Sequence, residues 1–183
     1  MPHATAPRHG RELMLRLRSR ESDDLRSEFA AFYEEAYPRL VSQVRAIIGD
    51  PTVAPETVQH AMARAWIRWE RLRQSDDPDS WVRRVALRNR RSRWCLWRRA
   101  VRPRLSEDEL ASMKPRHLAV LHGLLQQPET ERRSLVLRHM ARLSVSSIAE
   151  EEGVAMDTVV ARLQRGGAAL AELLVDEVEE DKR

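Results

Sequence analysis

The chain has few of the residues that cross-link a fold or bind metals. Its 183 residues include a single cysteine, Cys95, which excludes an intramolecular disulfide and a thiolate metal cluster. No apolar run approaches the roughly 18–20 residues that span a bilayer, and the basic N-terminus lacks the apolar core of a signal peptide. We therefore expect a cytoplasmic protein with no membrane insertion.

Sequence motifs of catalysis are missing as well. There is no glycine-rich phosphate loop and no nucleophile elbow. The histidines His60, His122 and His139 do not cluster with one another as metal ligands do. We therefore expect no catalytic residue, no metal site and no cofactor. Lone cysteines are mostly packing residues, although the basic surroundings of Cys95 leave a redox role open.

Acidic side chains are absent from the middle of the chain. Ten arginines lie between residues 83 and 104, and no Asp or Glu occurs in residues 80–106. The formal net charge is only +4, and six acidic residues lie from Glu172 onward, so the charges are segregated rather than in large excess. Such separation indicates one surface that meets a polyanion.

Tryptophans accompany these arginines. The same stretch carries Trp81, Trp94 and Trp97, three of the five in the chain. Guanidinium groups pair with phosphate oxygens and guanine edges, and indole rings stack on unpaired bases. The stretch is therefore a candidate surface for DNA whose strands are being separated. The alternative is a solvated cationic face with indole rings in the core.

Apolar residues recur at helical spacing along most of the chain, and no segment alternates like a strand. The spacing predicts one helical stretch from Leu25 to Ile48, which Pro38 either interrupts or enters at a first turn. A second helix is predicted over about residues 55–72, and a third begins after a cap at Asp77 or Asp79. Four more are predicted over about residues 116–125, 129–140, 144–152 and 157–174. We predict an all-α fold.

The expected architecture is two small helical domains joined by a linker. Residues 1–24 are predicted to be a flexible basic arm, and residues 25–99 the first domain. A linker over residues 100–115 then leads to the second domain over residues 116–175, which an acidic tail over residues 176–183 follows.

The second domain has the pattern of a helix-turn-helix. Ser144 is placed to cap a helix with Ile148 on its buried side, and Gly153 supplies the left-handed residue that ends it. Asp157 is placed to cap the next helix. The run of acidic residues 150–152 is interpreted as a solvated helix face.

The last helix separates an apolar face from a polar one. The apolar stripe holds Val159, Leu163, Gly166, Leu170 and Leu173. The opposite face and its flanks hold Thr158, Ala161, Arg162, Gln164, Arg165 and Ala168. This polar face fits a recognition helix in a DNA major groove, because small residues permit close approach and Gln164 and Arg165 reach bases. The alternative is a purely structural helical hairpin.

Three stretches together resemble one protein family. Residues 58–66 (VQHAMARAW) resemble the VQ-x(4)-RAW core of region 2 in RNA polymerase sigma factors of the extracytoplasmic-function group. Residues 79–86 resemble the start of the next helix in that family, and residues 147–165 resemble its region 4. Val160 and Ala161 replace the family's usual basic and small hydroxyl residues, so we expect minus-thirty-five specificity to depend on Gln164 and Arg165.

The resemblance implies a sigma factor, which binds core RNA polymerase and promoter DNA and directs transcription initiation without catalysis of its own. An anti-sigma protein is a further candidate partner. The implied polymerase-binding residues are Glu56, Gln59, Arg64 and Arg68. The implied contacts to the minus-ten element are Arg84, Arg88, Asn89, Arg91, Ser92, Arg93 and Trp94. The implied contacts to the minus-thirty-five element are Thr158, Ala161, Arg162, Gln164 and Arg165.

Two other functions compete with this interpretation. A stand-alone helix-turn-helix regulator would leave residues 29–97 without a purpose. A nuclease would need clustered carboxylates or metal ligands beside the basic face, and residues 80–106 contain no carboxylate.

Overall fold

The computed structural model describes the backbone of residues 8–94 and 115–180, and the side chains of residues 22–88 and 117–173. Every regular element in those backbone ranges is an α-helix, which confirms the predicted fold class. The helices are α1 (Arg8–Ile48), α2 (Val53–Ile67), α3 (Trp69–Leu72), α4 (Pro78–Trp94), α5 (Pro115–Gln126), α6 (Glu129–His139), α7 (Val145–Glu152) and α8 (Met156–Glu180). We call α1–α4 the N-terminal half and α5–α8 the C-terminal half.

The first helix begins much earlier than predicted. The predicted start at Leu25 is wrong, because α1 runs unbroken from Arg8 to Ile48. Residues 8–24 are rich in Arg, Leu and Glu, which are good helix formers, so the helix continues without an apolar stripe to reveal it. Pro38 lies inside α1. The Ser42 hydroxyl donates a hydrogen bond to the Pro38 carbonyl at 3.0 Å.

The predicted second helix is divided in two. It begins at Val53 rather than Pro55, because the Asp50 carboxylate accepts hydrogen bonds from the amides of Thr52 at 2.9 Å and Val53 at 3.1 Å. At Arg68 the backbone leaves the helical region, with φ −113° and ψ 9°, and this residue separates α2 from α3.

The structure shows which of the two predicted aspartates caps α4. The Asp77 carboxylate accepts a hydrogen bond from the Ser80 amide at 2.9 Å, and Pro78 occupies the first helical position. This is the usual arrangement of a helix N-terminus. Asp79 instead accepts two hydrogen bonds from the Arg39 guanidinium at 2.7 and 3.0 Å, which ties α4 to α1.

The helix-turn-helix forms largely as predicted. The Ser144 hydroxyl accepts a hydrogen bond from the Ser147 amide at 3.1 Å, and Gly153 ends α7 with a φ of 69°. The predicted cap at Asp157 is wrong, because α8 begins at Met156 and Asp157 lies within its first turn.

One hydrophobic core joins the two halves. Leu124, Leu135 and Val136 of the C-terminal half belong to the same buried cluster as the apolar residues of α1, α2 and α4. A smaller cluster, inside the helix-turn-helix, contains Leu137, Ile148, Ala149 and Val159. The two halves therefore pack directly against each other.

Candidate nucleic-acid interface

The exposed face of α4 carries two of the predicted DNA-binding arginines. Arg84 and Arg88 are exposed, while Val82, Ala86 and Leu87 bury the opposite face in the core. Arg84 and Arg88 are four residues apart and therefore lie on the same side of the helix. The side chains of the other predicted minus-ten residues, Asn89, Arg91, Ser92, Arg93 and Trp94, lie outside the described residues, as do Cys95 and Trp97.

A third arginine of this helix faces inward. Arg83 is 1% exposed, and its guanidinium donates hydrogen bonds to the side chains of Gln43, Ser80 and Glu151. The basic stretch is thus not a uniform cationic face. Trp81 is half-buried, packs against the core, and has the Arg68 guanidinium 5.9 Å from its ring centre.

Helix α8, which the sequence predicts to be a recognition helix, presents part of its predicted polar face. Thr158, Gln164 and Arg165 are exposed, whereas Ala161 is half-buried. Arg162 is directed elsewhere, because its guanidinium lies 2.6 Å from the Glu152 carboxylate and its side chain is only 17% exposed. The structure therefore brings together Thr158, Gln164 and Arg165 but places the Arg162 charge in an internal ion pair.

Arg165 is tethered, although it is accessible. Its guanidinium donates to one Glu131 carboxylate oxygen at 3.0 and 3.3 Å, and its side chain is 63% exposed. A hydrogen bond from the Thr130 hydroxyl and the contact with Arg165 together hold the pKa of the Glu131 carboxyl below its usual value, against the effect of desolvation. The ion pair thus joins an accessible guanidinium to a carboxylate that is only 12% exposed.

The interpretation of residues 150–152 as a solvated face is wrong for two of the three. Glu150 is exposed, but the side chains of Glu151 and Glu152 are 3% and 5% exposed. Both lie on the face of α7 that Ile148 buries, three and four residues further along. That spacing was the signal in the sequence that could have identified them.

Glu152 is held among cations inside the C-terminal half. Its carboxylate contacts Arg162 at 2.6 Å and Arg133 at 3.4 Å. Burial raises the pKa of the Glu152 carboxyl, and the two arginines oppose that rise. Glu152 therefore serves the packing of α6, α7 and α8.

The outer surface of α2 is a second candidate interface. All four predicted polymerase-binding residues are exposed: Glu56, Gln59, Arg64 and Arg68. At 100° per residue they spread over about half of the helix circumference rather than along one narrow side. Sequence reasoning missed the apolar neighbours at the end of this helix, Trp66 and Ile67, which are 41% and 77% exposed. Apolar side chains exposed among polar ones are typical of protein interfaces.

The described residues contain no helix long and apolar enough to cross a membrane. They also contain no group of three or more histidine, cysteine or acidic residues arranged to hold a metal ion.

Known proteins share this sequence pattern and fold. Residues 32–99 match the family model of sigma-70 region 2. The RNA polymerase sigma-E factor of Streptomyces coelicolor is 29% identical over 153 residues, which cover 81% of this chain and 86% of that relative. The sigma-E factor of Streptomyces avermitilis is 27% identical over 155 residues, which cover 80% and 85%.

Among solved structures, the sigma factor RpoE of Bartonella quintana, crystallised in complex with the anti-sigma factor NepR, is similar in fold. Its TM-score is 0.70 at 16% sequence identity, and the alignment covers 80% of this chain and 96% of that one. At this identity the similarity concerns the arrangement of helices.

Proposed function

We propose that the chain is a sigma factor of the extracytoplasmic-function group of the sigma-70 family, and that its two halves divide promoter recognition between them. As a sigma factor it acts in transcription initiation with core RNA polymerase and promoter DNA. The observation that carries this function is the match of residues 32–99 to sigma-70 region 2. A stand-alone regulator would not use that segment.

The N-terminal half opens the minus-ten element in this proposal. Arg84 and Arg88 bind phosphates from the exposed face of α4. Asn89, Arg91, Ser92, Arg93 and Trp94, which follow in the sequence, are the further proposed contacts to this element. Separating the strands costs a few kcal/mol per unstacked base, and stacking on aromatic side chains returns about 1–3 kcal/mol per base. Binding and melting are thus coupled, with no catalytic residue and no cofactor.

The C-terminal half reads the minus-thirty-five element. Thr158, Gln164 and Arg165 are exposed on α8, and the small side chain of Ala161 permits a close approach to the groove. Arg162 supports this surface from beneath through its ion pair with Glu152. Because polymerase and promoter are the targets, we place the protein in the cytoplasm, where an anti-sigma protein is a further candidate partner.

Arg165→Ala should relax the preference for one or two base pairs of the minus-thirty-five element. A guanidinium that binds a guanine contributes about 1–3 kcal/mol of discrimination, whereas a phosphate contact weakens all sequences alike. Binding-site selection with the variant measures this preference. Arg162→Ala is the matched control and should lower stability without relaxing sequence preference. The assignment fails if Arg162→Ala relaxes the preference and Arg165→Ala does not.

Ile67→Asp should weaken binding to core polymerase by about 10- to 100-fold. Burying a side chain of this size contributes about 1.5–3 kcal/mol, and Ile67 is 77% exposed in the free chain. Pull-down of core polymerase by the immobilised chain, followed by titration, measures the effect. Met156→Asp makes the same kind of change at an exposed apolar residue of α8 and should leave the affinity unchanged. If the Ile67 variant and the wild-type chain bind core polymerase equally tightly, α2 is not part of the interface.

A further inference from the structure

A buried ion pair connects the helix-turn-helix to α4. The Arg83 guanidinium donates two hydrogen bonds to the Glu151 carboxylate of α7, from Nε to Oε1 at 3.0 Å and from Nη2 to Oε2 at 2.8 Å. The two residues are 68 positions apart, and their side chains are 2% and 3% exposed. This is the bidentate geometry that makes an arginine–carboxylate contact specific.

Arg83 also donates to two neighbouring side chains. Its Nη1 donates to the Gln43 side-chain oxygen at 2.8 Å, and its Nη2 donates to the Ser80 hydroxyl at 2.8 Å. Gln43 in turn donates to the carbonyl of Met140 at 3.4 Å. The network therefore joins α1 and α4 of the N-terminal half to α7 and the end of α6 in the C-terminal half.

Apolar contacts also hold the two halves together. Leu124, Leu135 and Val136 belong to the same buried cluster as apolar residues of α1, α2 and α4. The Arg83–Glu151 pair differs from these contacts because it joins two buried charges, and neither charge tolerates the loss of its partner.

Closure places the two DNA-binding helices close together. α4 touches α7 through Arg83 and Glu151, and α7 packs on α8. A helix with its side chains is about 10–12 Å wide, so the axes of α4 and α8 are about 20–24 Å apart. The minus-ten and minus-thirty-five elements are about 25 base pairs apart, or about 85 Å at 3.4 Å per base pair. The closed chain therefore cannot contact both elements at once.

We propose that Arg83 and Glu151 form a latch that holds the free chain closed, and that this latch must open before the chain spans a promoter. The consequence for promoters rests on the proposed function. Removing one partner of a buried ion pair leaves an uncompensated buried charge, which strongly disfavours the arrangement that buries it. A change at either residue therefore shifts the chain toward the open state.

Charge reversal tests the latch in the full chain. Glu151→Lys and Arg83→Glu should each raise the radius of gyration measured by small-angle X-ray scattering above that of the wild-type chain. The double variant restores an opposite pair and should return the radius toward that of wild type. Glu150→Lys makes the same charge change at the exposed neighbour and should leave the radius unchanged. Circular dichroism should report the same helix content in all four variants.

Affinity for core polymerase gives a second measurement. If nine free molecules in ten are closed, both single variants should bind core polymerase about tenfold more tightly than wild type, because the cost of opening is removed. The latch is refuted if Glu151→Lys and Glu150→Lys have the same radius of gyration and the same affinity for core polymerase. It is also refuted if the radius of the double variant does not return toward that of wild type. If the radii of gyration change as expected but the wild-type chain does not bind core polymerase, the ion pair does hold the chain closed and the proposed sigma-factor function is wrong.

Discussion

Alanine in place of both Arg84 and Arg88 is expected to reduce the formation of the melted promoter complex by about a hundredfold. Hydrogen bonds to charged groups contribute about 1.5–3 kcal/mol, and tenfold corresponds to about 1.4 kcal/mol. Both side chains are exposed on one side of α4, opposite its buried residues. Permanganate reactivity of unpaired thymines measures melting. The slope of log affinity against log salt concentration should fall by about two units.

The control for this experiment is Arg26→Ala. Arg26 is an exposed arginine of α1, whose contact with Asp23 lies at the surface, and its loss should change neither melting nor the salt slope. Circular dichroism of each variant establishes that the helices are intact. Undiminished thymine reactivity in the Arg84 and Arg88 double variant would show that another surface holds the melted strand.

Ile148→Ala is expected to lower the free energy of unfolding by about 2–5 kcal/mol. Ile148 is fully buried in the small core of the helix-turn-helix, against Leu137 and Val159, and its truncation leaves a cavity. In a protein of this size each kcal/mol corresponds to about 2–4 °C in melting temperature, so thermal melts resolve the loss easily. Binding to the minus-thirty-five element should weaken in parallel.

Val160→Ala is the matched control on the neighbouring helix. Val160 is 38% exposed, and surface truncations of this kind usually change stability by less than about 0.5 kcal/mol. Equal losses in the two variants would contradict the assignment of the buried and exposed faces of α7 and α8.

The features that sequence reasoning identified correctly depend on a few neighbouring residues. The cap at Ser144 and the left-handed Gly153 each follow from local hydrogen bonding and backbone sterics, and both appear where the sequence indicates. The sequence offers two candidate residues to cap α4, Asp77 and Asp79, and the hydrogen bond from the Ser80 amide identifies Asp77 as the cap. The all-α fold follows from periodicity that extends over many turns.

The features that it missed depend on residues distant in the chain. Three adjacent glutamates in a sequence suggest solvent exposure. In the fold, α4 places Arg83 against Glu151, which is 68 positions away, and this contact is not visible in the sequence. Likewise, the angular position of Arg162 on α8 predicts a place at the edge of the polar face. Its guanidinium instead forms an ion pair with the largely buried Glu152 carboxylate. The shared core was also missed, because two amphipathic halves do not reveal that they will pack against each other. Ile67 is an exception, because at 100° per residue it lies about 180° from the buried Val58, and helical spacing alone places it on the exposed face.

Promoter-dependent run-off transcription with purified core polymerase shows whether this chain confers promoter specificity. We expect transcripts that begin at a restricted set of promoters from a genomic library only when both core polymerase and this chain are present. Those promoters should share sequence in their minus-ten and minus-thirty-five elements. If folded chain and active core polymerase together yield no transcript beyond those of core polymerase alone, this chain is not a promoter-specificity subunit of that polymerase.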